Sequence, residues 1–518
     1  MPTLQDLTCR NMPDTGSAHN GNVNALSLGH WMTVKNLNPS PGTSATAWIT
    51  SVVWVVAAAL GGCAVQPSTS ATGLDAPIPA RWSVATAEPV AGQSGAALAQ
   101  WWQRFNDPLL TALVSQALQS NTDVRSAQAA LHQSRALRDG KAAGLGPSVN
   151  ASVSAQRSRS GGNDATDSFQ AGFDASWEPD VFGGQRATLN AAEADAQAAQ
   201  SSLAQVQVSL AAEVAVTYID LRGLQARLAI ARNNLVAQME TLQIARWRAQ
   251  AGLASSLDVE QAIAASEQTS AQIPSLTTSL AQDLSSLSVL TGQLQAALQS
   301  RLTDDAVRVG AVPQAPANLA VAFPAQTLRQ RPDVSAAEYR VSAALARVAQ
   351  ADAARYPSFQ ISGSIGLRAL TLGALTNGAS AAQSLLAGVS VPLFDGGAAR
   401  AQVRAQEAAL EQTRLAYQAT VLKALKDVED TLVALQGDTE RLTRLQGASS
   451  AAANADLLAR QRYASGLIDF RTVLDTERTL LSTQDSVETT RASLSADHVR
   501  LYKALGGGWT PEADSATP

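Results

Sequence analysis

The residue with the most specific chemistry in this 518-residue chain is Cys63. It follows Leu60-Gly61-Gly62 and the short apolar run 48–60, WITSVVWVVAAAL. Thirteen apolar-leaning residues are short for a membrane span and suit a signal-peptide core. A small-residue pair before a cysteine resembles a bacterial lipobox, so cleavage before Cys63 and a covalent lipid on it are expected. Cys9 is then discarded, and the mature chain keeps no cysteine free for a disulfide or a metal site. Met32 with Lys35 gives the leader a compact basic start, which predicts translation from Met32.

Catalysis has no residues to carry it. His19 and His30 fall in the leader, and His132 and His498 are isolated. The chain has no CxxC, HExxH, phosphate loop or Ser/His/Asp constellation in a suitable context, so neither enzyme activity nor a cofactor beyond the lipid is expected. Four methionines form no cluster for a soft metal. A net charge of −5 without any Lys/Arg block gives no sign of a nucleic-acid partner or a polybasic membrane patch.

The bias toward Ala, Leu, Gln and Ser, with 16% charged residues, points to long helices in coiled-coil contact. An internal repeat organises them. Asp123-Val124 matches Asp333-Val334 at an offset of 210, and the offset settles at 214. There Glu193, Val214, Arg227, Arg246, Arg248, Gly252-Leu253 and Gly292 meet Glu407, Val428, Arg441, Arg460, Arg462, Gly466-Leu467 and Gly506.

Each copy changes period in the same order. Residues 149–153 and 169–177 alternate apolar and polar, as do 359–367 and 385–393, which predicts one hairpin per copy. The segments 158–167 and 371–384 read as exposed turns. After Gly183-Gly184 and Gly396-Gly397 comes a helical ladder of unusual length, running in the first copy from Leu189 through Leu210 and Leu228 to Leu242 in steps of three and four. Gly252 and Gly466 break it before returning helices at about 256–291 and 469–505. The mature chain has no run of 18 apolar residues, so any membrane passage must use strands. Four strands cannot close a barrel alone, so several chains must share one: eight strands from two chains, or twelve from three. A wide lumen favours twelve.

Four motifs in order resemble the TolC/NodT-type outer-membrane factor family. They are Trp101-Trp102 through Phe105, Asp107-Pro108 and Leu109; Arg331-Pro332-Asp333-Val334 with Ala336-Ala337-Glu338; Pro392-Leu393-Phe394-Asp395-Gly396-Gly397; and Leu501-Tyr502-Lys503-Ala504-Leu505 with Gly506-Gly507-Gly508-Trp509. The resemblance covers nearly all of the mature chain. It implies an α+β membrane protein: a homotrimer with a twelve-stranded β-barrel in the outer membrane, continuous with a long periplasmic α-helical barrel. It implies the exit duct of a tripartite efflux pump, passing small molecules such as drugs, with a periplasmic adaptor (membrane fusion) protein and an inner-membrane RND-type pump as partners.

The expected organisation is leader 1–62, lipidated linker 63–100, first repeat 101–300 (hairpin 147–183, helices 186–291), linker 301–330, second repeat 331–508 (hairpin 357–394, helices 398–505) and tail 509–518. The resemblance puts Gly252, Leu253, Gly466 and Leu467 at the tips that dock the adaptor. It puts the aperture carboxylate at Asp475 with Arg478 one turn on, and Asp258 where some relatives tie down a tyrosine at the position of Tyr463. A ring of Asp475 would hold cations more readily than anions. The chain departs from the pattern at Thr472, where some members have a second Asp, at Arg471, where others are apolar, and at Ile468, where some have Arg. The competing expectations are a periplasmic helical scaffold without transport and a duct of the same fold for type I protein secretion.

Overall fold

The computed structural model describes residues 96–159, 161, 164–304, 311–315 and 330–509. The leader, Met32, Cys63, most of both linkers and all of the tail but Trp509 lie outside the described residues.

The chain enters through one helical turn, Ala96–Ala99, and a tight turn, Trp101–Phe105. Helix α1 (Pro108–Ser120) starts where it does because the Asp107 carboxylate accepts from the Leu109 and Leu110 amides, at 2.9 and 3.0 Å, with Pro108 pre-set for the first turn. Asn121 caps α2 (Thr122–Ala143) in the same way. Strands β1 (Ser148–Ser158) and β2 (Thr166–Trp177) follow, then α3 (Gly184–Gln250), α4 (Ser256–Thr291) and α5 (Gln295–Asp304). The second copy repeats the order: α6 (Pro332–Ala353), β3 (Ser358–Ala369), β4 (Ala381–Ser390), α7 (Ala398–Ala464) and α8 (Phe470–Ala504).

Helices α3 and α7 are each 67 residues long, which is roughly 100 Å at ~1.5 Å per residue. An aspartate starts both. Asp180 accepts from the Gln185 and Arg186 amides, and Asp395 from the Gly397 and Ala399 amides. Gly183 and Gly397 supply the left-handed residue at each entry, with φ of 80° and 89°. By hydropathy α3 holds an 18-residue window apolar enough to cross a membrane, but half of that window is buried inside the protomer. Its Ala, Val and Leu face neighbouring helices, which accounts for the apolarity without lipid.

All strands pair antiparallel in the order β1-β2-β3-β4, so the two copies join through β2 and β3. One face carries Val149, Val153, Phe173, Ile365, Leu385 and Val389, all exposed. The other carries polar pairs, Ser152 to Asp174 at 2.7 Å and Ser364 to Ser384 at 2.8 Å. The second hairpin departs from its expected bounds at both ends. Strand β4 begins at Ala381, inside the stretch expected to be a turn, where Ser380 closes a tight loop by donating to the Leu375 and Asn377 carbonyls. It stops at Ser390, short of Val391 and Leu393, two residues before Pro392, which has no amide to continue the ladder.

Around the mid-portion of α3, three of the four family-like motifs meet. Trp101 stacks on Tyr502 with ring centroids 5.4 Å apart, and the Gly508 amide donates to the Leu98 carbonyl. Arg331 is bidentate on Asp333 and donates to the Ala504 carbonyl at 2.7 Å. Gly506, at φ +77°, lies so close that a Cβ would sit 3.1 Å from the Arg331 backbone. Tyr218 donates to Asp107 and accepts from the fully buried Arg222, at 3.0 and 2.9 Å. Desolvation, followed by the neighbouring Asp107 charge, pushes the Tyr218 phenol well above its usual range. These motifs read as a structural clamp that ties chain entry and exit to the mid-portion of α3, while their spacing alone gave no sign that they touch.

Candidate functional site

The far ends of the long helices carry the expected tip residues. Gly252 and Gly466, at φ 72° and 73°, turn the chain in both copies. The next amide in each case closes back on the helix: Leu253 to the Arg248 carbonyl at 2.7 Å, Leu467 to the Arg462 carbonyl at 2.9 Å. Both leucines are about three-quarters exposed, at 77% and 74%, so each tip presents an apolar side chain to solvent. Beneath them Leu242, Ala245, Ala262, Ala265, Ala459, Tyr463, Phe470, Val473 and Leu474 form a small core.

Tyr463 and Asp258 share no hydrogen bond within a protomer; each has other partners there. Asp258 closes a capping box with Ser255, accepting from the Ser255 amide at 3.0 Å while its own amide donates to Ser255 Oγ at 3.2 Å. One oxygen of the carboxylate, Oδ2, thus helps to start α4. Tyr463 lies beneath the Arg248 guanidinium, 4.3 Å from its ring centroid, and beside Phe470 at 5.3 Å. Arg248 also donates to the Ala464 carbonyl at 3.0 Å. The tyrosine is therefore pinned by an arginine of α3.

Asp475 is more than half exposed and stands between two arginines of its own helix, Arg471 at 3.9 Å and Arg478 at 3.8 Å. Spacings of four and three residues put all three on one face of α8. Asp469, at the N-cap, accepts from the Thr472 amide and hydroxyl. These hydrogen bonds hold its carboxyl below the usual range. Thr472 thus serves the cap, in place of the second aspartate of some relatives. Asp469, Arg471, Asp475 and Arg478 together carry no net charge; Arg478 stands beside Asp475 as expected, and Arg471 adds a second cation.

Two polar links were not singled out in the sequence. Arg227 of α3 is bidentate on Asp485 of α8, at 2.7 and 3.2 Å, and ties the two copies together. About two turns from the tips, Glu477 of α8 is only 2% exposed and accepts from Thr241 of α3 at 2.7 Å. The signal for Glu477 was present: it continues the buried series Phe470, Val473, Leu474, where an apolar residue belongs.

A four-stranded sheet with one apolar face, continued by long paired helices that include two of 67 residues, is the architecture of an outer-membrane channel protein. A family profile described as outer membrane efflux protein matches residues 113–293 and 323–507. The chain is 32% identical over 472 residues to the pyoverdine export outer membrane protein OpmQ of Pseudomonas aeruginosa, covering 87% of this chain and 95% of that protein. It is 30% identical over 465 residues to the toluene efflux pump outer membrane protein TtgF of Pseudomonas putida, with 87% and 95% covered. Among solved structures it superposes on the outer-membrane channel OprN with a TM-score of 0.77 and 32% identity, over 84% of this chain and 98% of that one. The outer membrane protein VceC of Vibrio cholerae shares the fold, with a TM-score of 0.73 and 24% identity over 80% and 99%. The chain belongs to the outer membrane efflux protein family. It is an efflux channel protein of the outer membrane, which favours that reading over the scaffold and the protein-secretion duct.

Proposed function

We propose that three copies close their sheets into one twelve-stranded barrel and their helices into one tunnel, forming the passive exit duct of a tripartite efflux pump. The observation that carries this is the sheet itself: β1 and β4 are edges with no partner among the described strands, beside an exposed apolar face. In a bilayer each unpaired backbone group costs several kcal/mol, so β4 of one copy must pair with β1 of the next. The lipid expected on Cys63 adds a tether to a protein already held by strands.

The tips at Gly252-Leu253 and Gly466-Leu467 dock a periplasmic adaptor, which joins the duct to an inner-membrane pump of the RND type. Arg471, Thr472, Asp475 and Arg478 line the narrow end. The cargo is small molecules of the size of drugs, solvents or siderophores, chosen by the pump; pyoverdine and toluene are in the names of the two Pseudomonas relatives. Deleting the gene and measuring susceptibility across drugs, detergents and phenolics tests the reading. Sensitisation restored by the gene in trans is expected. An unchanged panel, together with an outer-membrane species of monomer mass in unheated gels, would overturn it.

A further inference from the structure

Near the tips, the seams of three helices each place a polar residue where the spacing calls for an apolar one. On α8 the buried series runs Phe470, Val473, Leu474, Glu477; on α7, Ala452, Asp456, Ala459, Tyr463; on α3, Asn234, Gln238, Thr241, Ala245. Glu477 is 2% and Asp456 6% exposed. Both carboxylates lean on one guanidinium, Arg460: its Nε lies 2.9 Å from Asp456 and its Nη2 3.3 Å from Glu477. One cation therefore serves two buried anions. Glu477 Oε2, Asp456 Oδ1 and Gln238 Oε1 are each buried without a hydrogen-bond donor, and the Arg460 Nε–H, although 2.9 Å from Asp456, makes an ion pair without a hydrogen bond. Buried acceptors of this kind are costly unless a donor or a charge is supplied.

We propose that Glu477 is a proton-binding site in the helical wall, and that releasing its proton loosens α8 from α3 and α7 just above the tip. The proton cancels the excess negative charge and supplies one missing donor. The charged groups that act on Glu477 are Arg460 and Asp456 of α7; α3 presents the Thr241 hydroxyl, and α4 presents Ala262 and Ala265 to the adjoining apolar core. Burial raises the Glu477 carboxyl above the usual glutamate range; Thr241 and Arg460 oppose this, and Asp456 adds to it. The sign follows. Packing stability is complete below the ordinary glutamate pKa and is lost as pH rises through the raised one. If the tips form the narrow end of the duct, as proposed above, acid firms that end and alkali slackens it.

Hydrogen exchange of the full-length protein in detergent, between about pH 5 and pH 8 and corrected for intrinsic amide rates, tests this. Peptides over 234–245, 452–463 and 470–484 are expected to exchange several-fold faster at high pH in the wild type. In Glu477→Gln, which mimics the neutral acid, they should stay slow throughout. In Asp456→Asn the response should move to lower pH, because a like charge is gone. A pH-independent wild type, a response that persists in Glu477→Gln, or an unmoved response in Asp456→Asn would each overturn the proton site. Wild-type conductance in planar bilayers tests the channel reading separately, so the two can fail independently.

Discussion

Gly172 and Gly366 face one another across the seam between β2 and β3, with their Cα atoms directly paired in the register. A Cβ on Gly366 would lie 2.5 Å from the Ala171 carbonyl oxygen, and one on Gly172 would lie 2.7 Å from that of Ile365. The two copies of the repeat can therefore join closely only where both residues lack a side chain. Gly366→Ala should cost about 1–3 kcal/mol per chain through forced backbone shifts. The thermal stability of the detergent-solubilised protein should fall, whereas Gly373→Ala, in the loop between β3 and β4 with nothing within 4 Å of the new Cβ, should leave it nearly unchanged.

Because Asp258 caps α4, its removal acts through the helix start. Asp258→Ala and Ser255→Ala should each weaken that start by about 1 kcal/mol and speed exchange in the first turn of α4 to a similar degree. A latch between Asp258 and Tyr463 on a neighbouring subunit would show differently: Asp258→Ala alone would raise single-channel conductance. Comparing the two variants in planar bilayers separates these outcomes.

The arginines beside Asp475 set the charge of the α8 face, so ion preference should follow their removal. Replacing Arg471 and Arg478 together by Gln leaves the carboxylate unopposed and should shift the reversal potential in a salt gradient toward cation selectivity. Asp475→Asn should shift it the opposite way. No shift in either variant would mean that this face does not line the conducting path.

A second titration is expected higher up the helices. Burial, with the Asp220 charge adding to it, pushes the Asp283 carboxyl up to about 6. A raised carboxyl favours the folded protein when protonated, so its contribution is present below the ordinary aspartate range and lost as pH rises through about 6. Thermal stability of the assembled protein should decline over that interval, and Asp283→Asn should flatten the decline. An equal slope in wild type and variant would assign it to other groups.

The sequence by itself determined the order of strands and helices, its recurrence in two copies and the turn glycines. These rest on local periodicity and on backbone conformations that only certain residues adopt, and both are written in neighbouring positions. Tertiary structure alone decided which strands join the copies, that Arg331, Gly506 and Trp101 belong to one clamp, and what occupies the carboxylates. Asp258 and Asp475 illustrate the limit. Their types and positions were readable, but a carboxylate's role depends on which donor or cation reaches it, and for Asp258 that is a local amide, for Asp475 two arginines of its own helix. For Glu477 the partners come from residues 236 positions away on α3 and from α7, a meeting that only the packing of three helices creates.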